Sequence, residues 1–150
     1  MKTLLLLRTA TLSAALMAMA FTVHAGKRIE TSQLPQQAIT FINAHYQGIG
    51  IDDCEIDGGI YEVDMTNGVD IEFNSAGKIM KIDGGRHLIE NSVLKAILPA
   101  ATYNDLTTRK VIGSVEEVKF TRHGIKVELR DTAMDEYYYS ADGTFIRIDN

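Results

Sequence analysis

The sequence predicts an α+β protein made of two copies of a unit in which a helix precedes a four-stranded antiparallel meander. Residues 60–82 alternate apolar and polar side chains and break at an Asn-Gly and an Ala-Gly pair, as hairpins do. Residues 115–149 repeat this pattern. The segments 73–83 and 139–149 each begin with an aromatic residue, carry Gly four positions later and end in Ile-Asp. These matches indicate an internal repeat.

The first 25 residues have the features of a secretory signal peptide. Lys2 and Arg8 form a positive flank, an apolar run covers Leu12–Val23, and Val23-His24-Ala25 is a small-residue cleavage site. The run is shorter than the roughly 20 apolar residues of a membrane span, although a retained anchor is the alternative. We therefore expect a periplasmic or secreted protein with no stable membrane insertion after cleavage.

Composition excludes several classes of protein. The 150 residues carry a net charge of −5, which gives no support for binding nucleic acid or an anionic membrane surface. Cys54 is the one cysteine, so the chain has no intramolecular disulfide. Because Cys54 falls in phase with apolar strand positions, we expect a small buried side chain; an intermolecular bridge or a reactive thiol is the alternative.

The first repeat is expected to span residues 26–85. Residues 26–33 are polar and read as a flexible leader, and Leu34-Pro35 opens an amphipathic helix that Gly48 ends. The predicted strands of this repeat are 53–56, 60–65, 69–73 and 78–82.

The second repeat is expected to span residues 86–150. Its helix covers Ile89–Leu98 and stops at Pro99, and a longer connection follows with a short helix around 103–111. Residues 131–134 look like an insertion relative to the first repeat. Whether the two sheets join is left open by the pattern. The predicted strands of this repeat are 115–121, 125–130, 136–140 and 144–149.

Five short segments carry a resemblance to a known family: Leu34-Pro35 at a helix start, Tyr61–Asp64, Val69–Gly77, Ile125–Leu129 and Tyr139–Gly143. They resemble the PepSY-like, beta-lactamase-inhibitor-like family of exported proteins, found mainly in Bacteroidetes. The resemblance implies a tandem helix-plus-sheet fold like that of beta-lactamase inhibitor protein. In that fold the open face of the joined sheet grips a protein partner.

Metal binding has one weak candidate. The oxygen-bearing residues Asp53, Glu55, Asp57 and Asp64, with Gly58 between them, partly match the spacing of an EF-hand calcium loop. Strand alternation runs through the segment and no helix flanks it, so a hairpin turn is the better interpretation. The histidines after the expected signal peptide, His45, His87 and His123, are too far apart in the sequence to form a motif such as His-x-x-x-His. We expect no metal and no cofactor.

No constellation of residues indicates catalysis. Cys54 has no local signature that would pair it with a histidine, and the sequence contains neither a nucleophile elbow nor a glycine-rich phosphate loop. Adjacent carboxylates such as Glu116 and Glu117 point to opposite faces of a strand. We therefore expect no enzyme activity and no catalytic residues.

The outward face of the sheet is the candidate binding surface. Its first half should be acidic, and its second half should be mixed, with Lys119 on the face and Phe145 near it. Tyrosine and arginine are common at binding hot spots, but a plain solvated face is the alternative. We expect a non-enzymatic module that holds a periplasmic protein or peptide and could inhibit it; the alternative is a calcium- or small-ligand-binding envelope protein. The candidate partner-binding residues are Glu62, Asp64, Asp70, Glu72, Lys126, Glu128, Arg130, Glu136, Tyr138 and Arg147.

Overall fold

A computed structural model describes residues 26–150, so the expected signal peptide lies outside the described residues. The described chain forms one antiparallel sheet of nine strands, whose spatial order is their order in the sequence. The strands are β1 (Lys27–Arg28), β2 (Ile51–Asp57), β3 (Ile60–Met65), β4 (Asp70–Phe73), β5 (Ile79–Asp83), β6 (Val115–Thr121), β7 (Gly124–Leu129), β8 (Glu136–Tyr139) and β9 (Phe145–Asp149).

Three α-helices accompany this sheet in the described residues: α1 (Gln36–His45), α2 (Asn91–Ile97) and α3 (Ala100–Thr108). Short 3-10 turns at Thr31–Gln33 and Ile112–Ser114 complete the helical parts. Buried helix side chains and alternate strand side chains form one hydrophobic core, which leaves the other side of the sheet to charged residues. The architecture is therefore α+β, as the sequence predicts.

Aromatic residues lie at the centre of the core in both halves of the sheet. Phe73 on β4 is fully buried and meets Phe41 of α1 edge-on, with ring centroids 6.2 Å apart. Tyr139 on β8 is also buried, and its hydroxyl donates a hydrogen bond to Asp105 Oδ2 of α3 at 2.9 Å. Burial and this hydrogen bond raise the pKa of Tyr139. Each half-sheet is thus fastened to a helix through an aromatic residue at the same position of its third meander strand.

The expectation of a flexible leader at residues 26–33 is wrong. Lys27 and Arg28 pair with β2 as an edge strand, and the Arg28 guanidinium forms an ion pair with Asp53. The Ile29 N–H then donates to the Cys54 carbonyl at 2.9 Å. Polar side chains are normal on an edge strand that faces solvent, so composition alone could not distinguish this strand from a leader.

Helices in the second half begin differently from the prediction. The expected helix over Ile89–Leu98 is α2, but Pro99 does more than end it, because Pro99 is the N-cap of α3. The Tyr103 N–H donates to the Pro99 carbonyl at 3.0 Å. A proline fits this position since the first helical turn needs no N–H from it. The short helix expected around 103–111 is therefore α3, shifted towards the N-terminus.

Strands β5 and β6 join the two halves into one sheet, a point that the sequence pattern leaves open. Lys81 pairs with Lys119, and Ile82 pairs with Val118. Both Ile82 and Val118 are fully buried, so the joint is part of the common core.

Two β-bulges set which side chains of β5 and β9 face outward. Met80 is the extra residue on β5, which places Lys81 opposite Glu72. Ile146 is the extra residue on β9, which places Arg147 opposite Tyr138.

The β9 bulge also overturns the expectation that Phe145 lies near the outward face. Phe145 pairs with Tyr139 and meets its ring edge-on at 5.8 Å. The guanidinium of Arg109, at the end of α3, lies 4.2 Å from the centre of the Phe145 ring. Phe145 therefore packs on the helix side.

Arg130 fastens the linker between the two halves. Its Nε donates to Glu116 Oε2 at 2.7 Å, and its terminal nitrogens donate to the carbonyls of Arg86 at 2.9 Å and Gly85 at 2.8 Å. The planar guanidinium suits this multiple role because its donors point in fixed directions.

We predict that Arg130→Gln lowers the free energy of unfolding by about 1–3 kcal/mol, because charge-assisted hydrogen bonds to the linker are lost. Urea unfolding would measure the change. Arg86→Gln is the matched control, since the Arg86 side chain makes no hydrogen bond or ion pair with the described residues. Equal stabilities of the two variants would contradict the role given to Arg130.

Candidate partner-binding face

The outer face is the side of the sheet that carries no helix. Strand alternation that turns Val63, Ile71 and Val127 into the core turns their neighbours outward. The outward residues line up in two rows that cross the strands through direct register partners. The mixed row contains Arg28, Glu55, Glu62, Glu72, Lys81, Lys119, Lys126, Tyr138 and Arg147.

The second row runs beside the first and contains only carboxylates. Directly opposite like charges destabilise a sheet, so such a row is unusual unless cations lie between the members. Its members are Asp53, Asp64, Asp70, Asp83, Glu117, Glu128, Glu136 and Asp149. We call it the acidic row.

The half of the outer face on β2–β4 is acidic in both rows. Burial, followed by the charge of Glu72, raises the pKa of Glu62. Burial and the charge of Asp64 likewise raise the pKa of Asp70. In both cases burial is the larger cause, and repulsion between ionised carboxylates adds to it.

On β5–β8 the acidic row is compensated by lysines of the mixed row. Lys81 Nζ lies 3.2 Å from Glu117 Oε2, and Lys126 Nζ lies 2.7 Å from Glu128 Oε1. Lys126 also pairs with Glu136. Burial alone would lower the pKa of Lys126, but its hydrogen bonds to the two glutamates outweigh burial and raise it.

Tyr138 is the aromatic residue of the outer face. Its hydroxyl donates to Glu136 Oε2 at 2.6 Å, and the Arg147 guanidinium lies 4.0 Å from its ring centre. Hydrogen bonds from Lys126 and then Tyr138 lower the pKa of Glu136. The Tyr138 side chain is thus fixed in two ways: Arg147 lies over its ring, and its hydroxyl is hydrogen-bonded to Glu136.

Most of the sequence-predicted face residues lie together in the two rows. Arg130 is the exception, because its guanidinium is used by Glu116 and the linker. The residues found in the rows are Glu62, Asp64, Asp70, Glu72, Lys126, Glu128, Glu136, Tyr138 and Arg147.

Sequence reasoning missed five members of the rows: Arg28, Lys81, Asp83, Glu117 and Asp149. The consecutive apolar residues Ile79 and Met80 are a signal for the bulge that turns Lys81 outward, but they do not identify its partner strand.

The segment Asp53–Asp64 forms the β2–β3 hairpin, which is the interpretation that the sequence favours. Asp57 pairs with Ile60 across a two-residue glycine turn. Within residues 26–150, no group of three or more histidine, cysteine or acidic side chains is arranged to hold a metal ion. Four carboxylates of this segment, Asp53, Glu55, Glu62 and Asp64, belong to the two rows.

Cys54 points into the core and is 3% exposed, as the sequence predicts. Burial raises the pKa of its thiol, which lowers the fraction of reactive thiolate. A nucleophile paired with a histidine would need access to substrate, which this position does not offer.

A cleft of about 590 Å³ lies between the end of α1 and the linker, and His45 and His87 both line it. Tyr46 is buried at its base, and burial, with the charge of Glu90, raises its pKa to about 12. Arg130 forms part of the wall. No sequence motif indicates this cleft, since its residues come from four separate segments.

None of the helices in residues 26–150 is long and apolar enough to cross a membrane.

Solved structures with the same architecture come from Bacteroides. A protein from Bacteroides thetaiotaomicron, described as a "putative calcium-regulated periplasmic protein", is 28% identical, with a TM-score of 0.70 over 83% of this chain and 96% of that chain. A "putative periplasmic protein" of the DUF2874 family from Bacteroides vulgatus is 25% identical, with a TM-score of 0.71 over 85% of this chain and 99% of that chain.

A third structure shows the fold alone. It is a "putative periplasmic protein of unknown function" from Bacteroides vulgatus, 19% identical, with a TM-score of 0.65 over 81% of this chain and 95% of that chain. No functionally curated protein is detectably similar to the chain. The relatives confirm the expected periplasmic or secreted location.

Residues 22–81 match the family model described as "Putative beta-lactamase-inhibitor-like, PepSY-like". This segment covers β1 to β5 apart from the last two residues of β5. The match confirms, over residues 22–81, the resemblance to that family.

Proposed function

We propose that this protein is a non-enzymatic periplasmic binding module that holds a protein or peptide on the outer face of its sheet. The observation that carries the proposal is the outer face itself: one helix-free surface across all nine strands, with a fixed tyrosine and two continuous rows of charge. The beta-lactamase-inhibitor-like description of the family supports a partner that is an enzyme, held through that face.

We infer further that the surface arises from two tandem units, residues 26–85 and 86–150. Leu34-Pro35 precedes α1 as Leu98-Pro99 precedes α3. Each half also has a β-bulge in its last strand.

The same close contact between helix and turn supports the tandem arrangement. A Cβ added at Gly77 would lie 2.8 Å from the Ala38 nitrogen, at the start of α1. A Cβ added at Gly143 would lie 2.7 Å from the Pro99 Cβ, at the start of α3. Both glycines allow the turn after the third meander strand to touch its helix.

Buried Cys54 and the absence of a grouped set of metal-ligating side chains in residues 26–150 support a module without catalysis. The polar groups of the outer face form ion pairs with one another, and no buried acid–base pair sits in a cavity there.

A second candidate is a response to calcium. One relative is described as calcium-regulated, and the acidic row offers oxygen ligands of the kind that Ca²⁺ prefers. On this candidate the ion would neutralise ionised carboxylates on β2–β4.

We predict that Tyr138→Ala in the mature, tagged protein weakens capture of its partner from envelope extract by about tenfold or more, because a rigid aromatic contact is lost. Mass spectrometry would quantify the captured protein. Met134→Ala is the control, since Met134 is 53% exposed, lies in the loop before β8 and belongs to neither row. Undiminished capture by the Tyr138 variant would show that the partner binds elsewhere.

As the pH falls from 7, protonation of Glu62 and Asp70, whose pKa values are raised, should increase the stability of the folded protein. A carboxyl whose pKa is raised on folding binds its proton more readily in the folded state than in the unfolded state. Its ionised form therefore destabilises the folded state fully above the raised pKa, and protonation below that pKa removes this destabilisation. Urea midpoints at pH 7 and below would measure the effect.

In the same experiment, Glu62→Gln should raise the urea midpoint at pH 7 more than at pH 5. Asp135→Asn, in the exposed loop before β8, is the control and should leave the pH dependence unchanged. A Glu62 variant less stable than wild type at pH 7 would contradict the repulsion.

For the calcium candidate, we expect about 1 mM calcium chloride to raise the melting temperature relative to EDTA, and by more than magnesium chloride does. Asp64→Asn should reduce this increase, whereas Asp135→Asn should not. A melting temperature that is insensitive to the chelator would remove the candidate.

A further inference from the structure

A shallow basin of about 320 Å³ opens on the outer face where the β6–β7 hairpin lies beside β8 and β9. It is far from the acidic half and is rich in cationic side chains. The residues that define it chemically are Lys119, His123, Lys126, Tyr138, Ile146 and Arg147.

Three lysines lie side by side on β5, β6 and β7, and two of them, Lys119 and Lys126, line this basin. Lys81, Lys119 and Lys126 are direct register partners on β5, β6 and β7. Lys81 pairs with Asp83 and Glu117, and Lys126 pairs with Glu128 and Glu136. The outer two lysines are therefore each compensated by two carboxylates.

Lys119, the middle lysine, is different. Its side chain is exposed and makes no ion pair or hydrogen bond with residues 26–150. Like charges directly opposite each other are unfavourable, so an anion that reached Lys119 would relieve repulsion from both sides. Its Nζ can donate up to three hydrogen bonds.

The basin also offers apolar surface next to these cations. The β9 bulge pushes Ile146 outward until it is 53% exposed, and the Tyr138 ring lies beside it under the Arg147 guanidinium. Arg147 uses its Nε for Asp149 at 2.7 Å and retains further donors on its terminal nitrogens. His123 accepts a hydrogen bond from Arg122 on Nε2 at 2.8 Å, which leaves Nδ1 as the donor of the neutral ring.

We propose that this basin binds the carboxylates of an acidic C-terminal residue of the partner, with the preceding apolar residue packed on Ile146 and Tyr138. The proposal rests on the proposed function, because it specifies what the outer face recognises. Lys119 holds these carboxylates, and Arg147 contributes a second donor.

The acidic half gives this recognition a direction. Glu62 and Glu72 repel a carboxylate, whereas Lys119 attracts it. A bound segment that crosses the strands therefore places its anionic end over β6–β9, and any cationic group over β2–β4.

The probe is the peptide acetyl-Gly-Phe-Leu-Glu with a free C-terminus, titrated into ¹⁵N-labelled mature protein. We expect a Kd on the order of 1 mM, with chemical-shift changes at the backbone amides of 119–126 and 145–147. The matched probe is acetyl-Gly-Phe-Leu-Gln amide, which keeps the shape and removes both charges. Equal binding of the two peptides, or shifts confined to other strands, would overturn the proposal.

Lys119→Gln should weaken binding of the acidic peptide by about five- to tenfold, and Lys119→Arg should restore most of it. Lys95→Gln removes the same charge from α2, on the helix side, and should leave the affinity unchanged. Equal losses in the Lys119 and Lys95 variants would mean that only overall charge matters, which contradicts a built site.

The two levels of inference fail differently. Partner capture that is lost in the Tyr138 variant but intact in Lys119→Gln would retain the outer face as the binding surface and reject the carboxylate site. Peptide binding at the basin without any captured partner would retain the carboxylate site and reject the protein-binding module.

Discussion

The pairing of β5 with β6 is the interaction on which the rest of the structure depends. Without it, each half would expose an unpaired strand edge and the buried side chains of Ile82 and Val118. With it, the core passes from one half to the other, and the outward residues of both halves fall into common rows. The wide outer face is therefore a product of the joint and not of either half alone.

Electrostatics then divides that face. The half on β2–β4 collects carboxylates whose burial and mutual repulsion raise their pKa values, as at Glu62. The half on β5–β9 compensates its carboxylates with Lys81 and Lys126, and keeps Lys119 without an ion partner in the described chain. A surface with this polarity discriminates between orientations of a partner before any close contact forms.

Alternation and turn chemistry predict much of this architecture. Val63, Met65, Ile71 and Phe73 alternate with acidic residues, and their burial follows from that pattern. Residues 115–121 are predicted as a strand and form β6.

Three features could not be predicted because they depend on contacts between distant segments. The edge strand β1 consists of Lys27 and Arg28, which are polar and look like a leader. The bulge at Ile146 turns Phe145 towards α3, and the alternation pattern does not reveal this one extra residue. Arg130 looks like one more alternating surface charge until the linker folds over it. The residues of the candidate face could be predicted because hairpins form between neighbouring segments of the sequence. The extent of the face could not be predicted, because it depends on the pairing of β5 with β6, which are far apart in the sequence.

The strict agreement between strand order and chain order has a consequence for how the chain folds. Each of β3, β4 and β5 pairs with the strand that precedes it in the sequence, and the same holds for β7, β8 and β9. Such short-range pairing carries a small loop-closure cost and favours rapid folding. The long connection through α2 and α3 has to close only once, when β6 reaches β5. Each meander can therefore form by adding strands in sequence order. The edge of β5 then stays unpaired until β6 of the same molecule pairs with it.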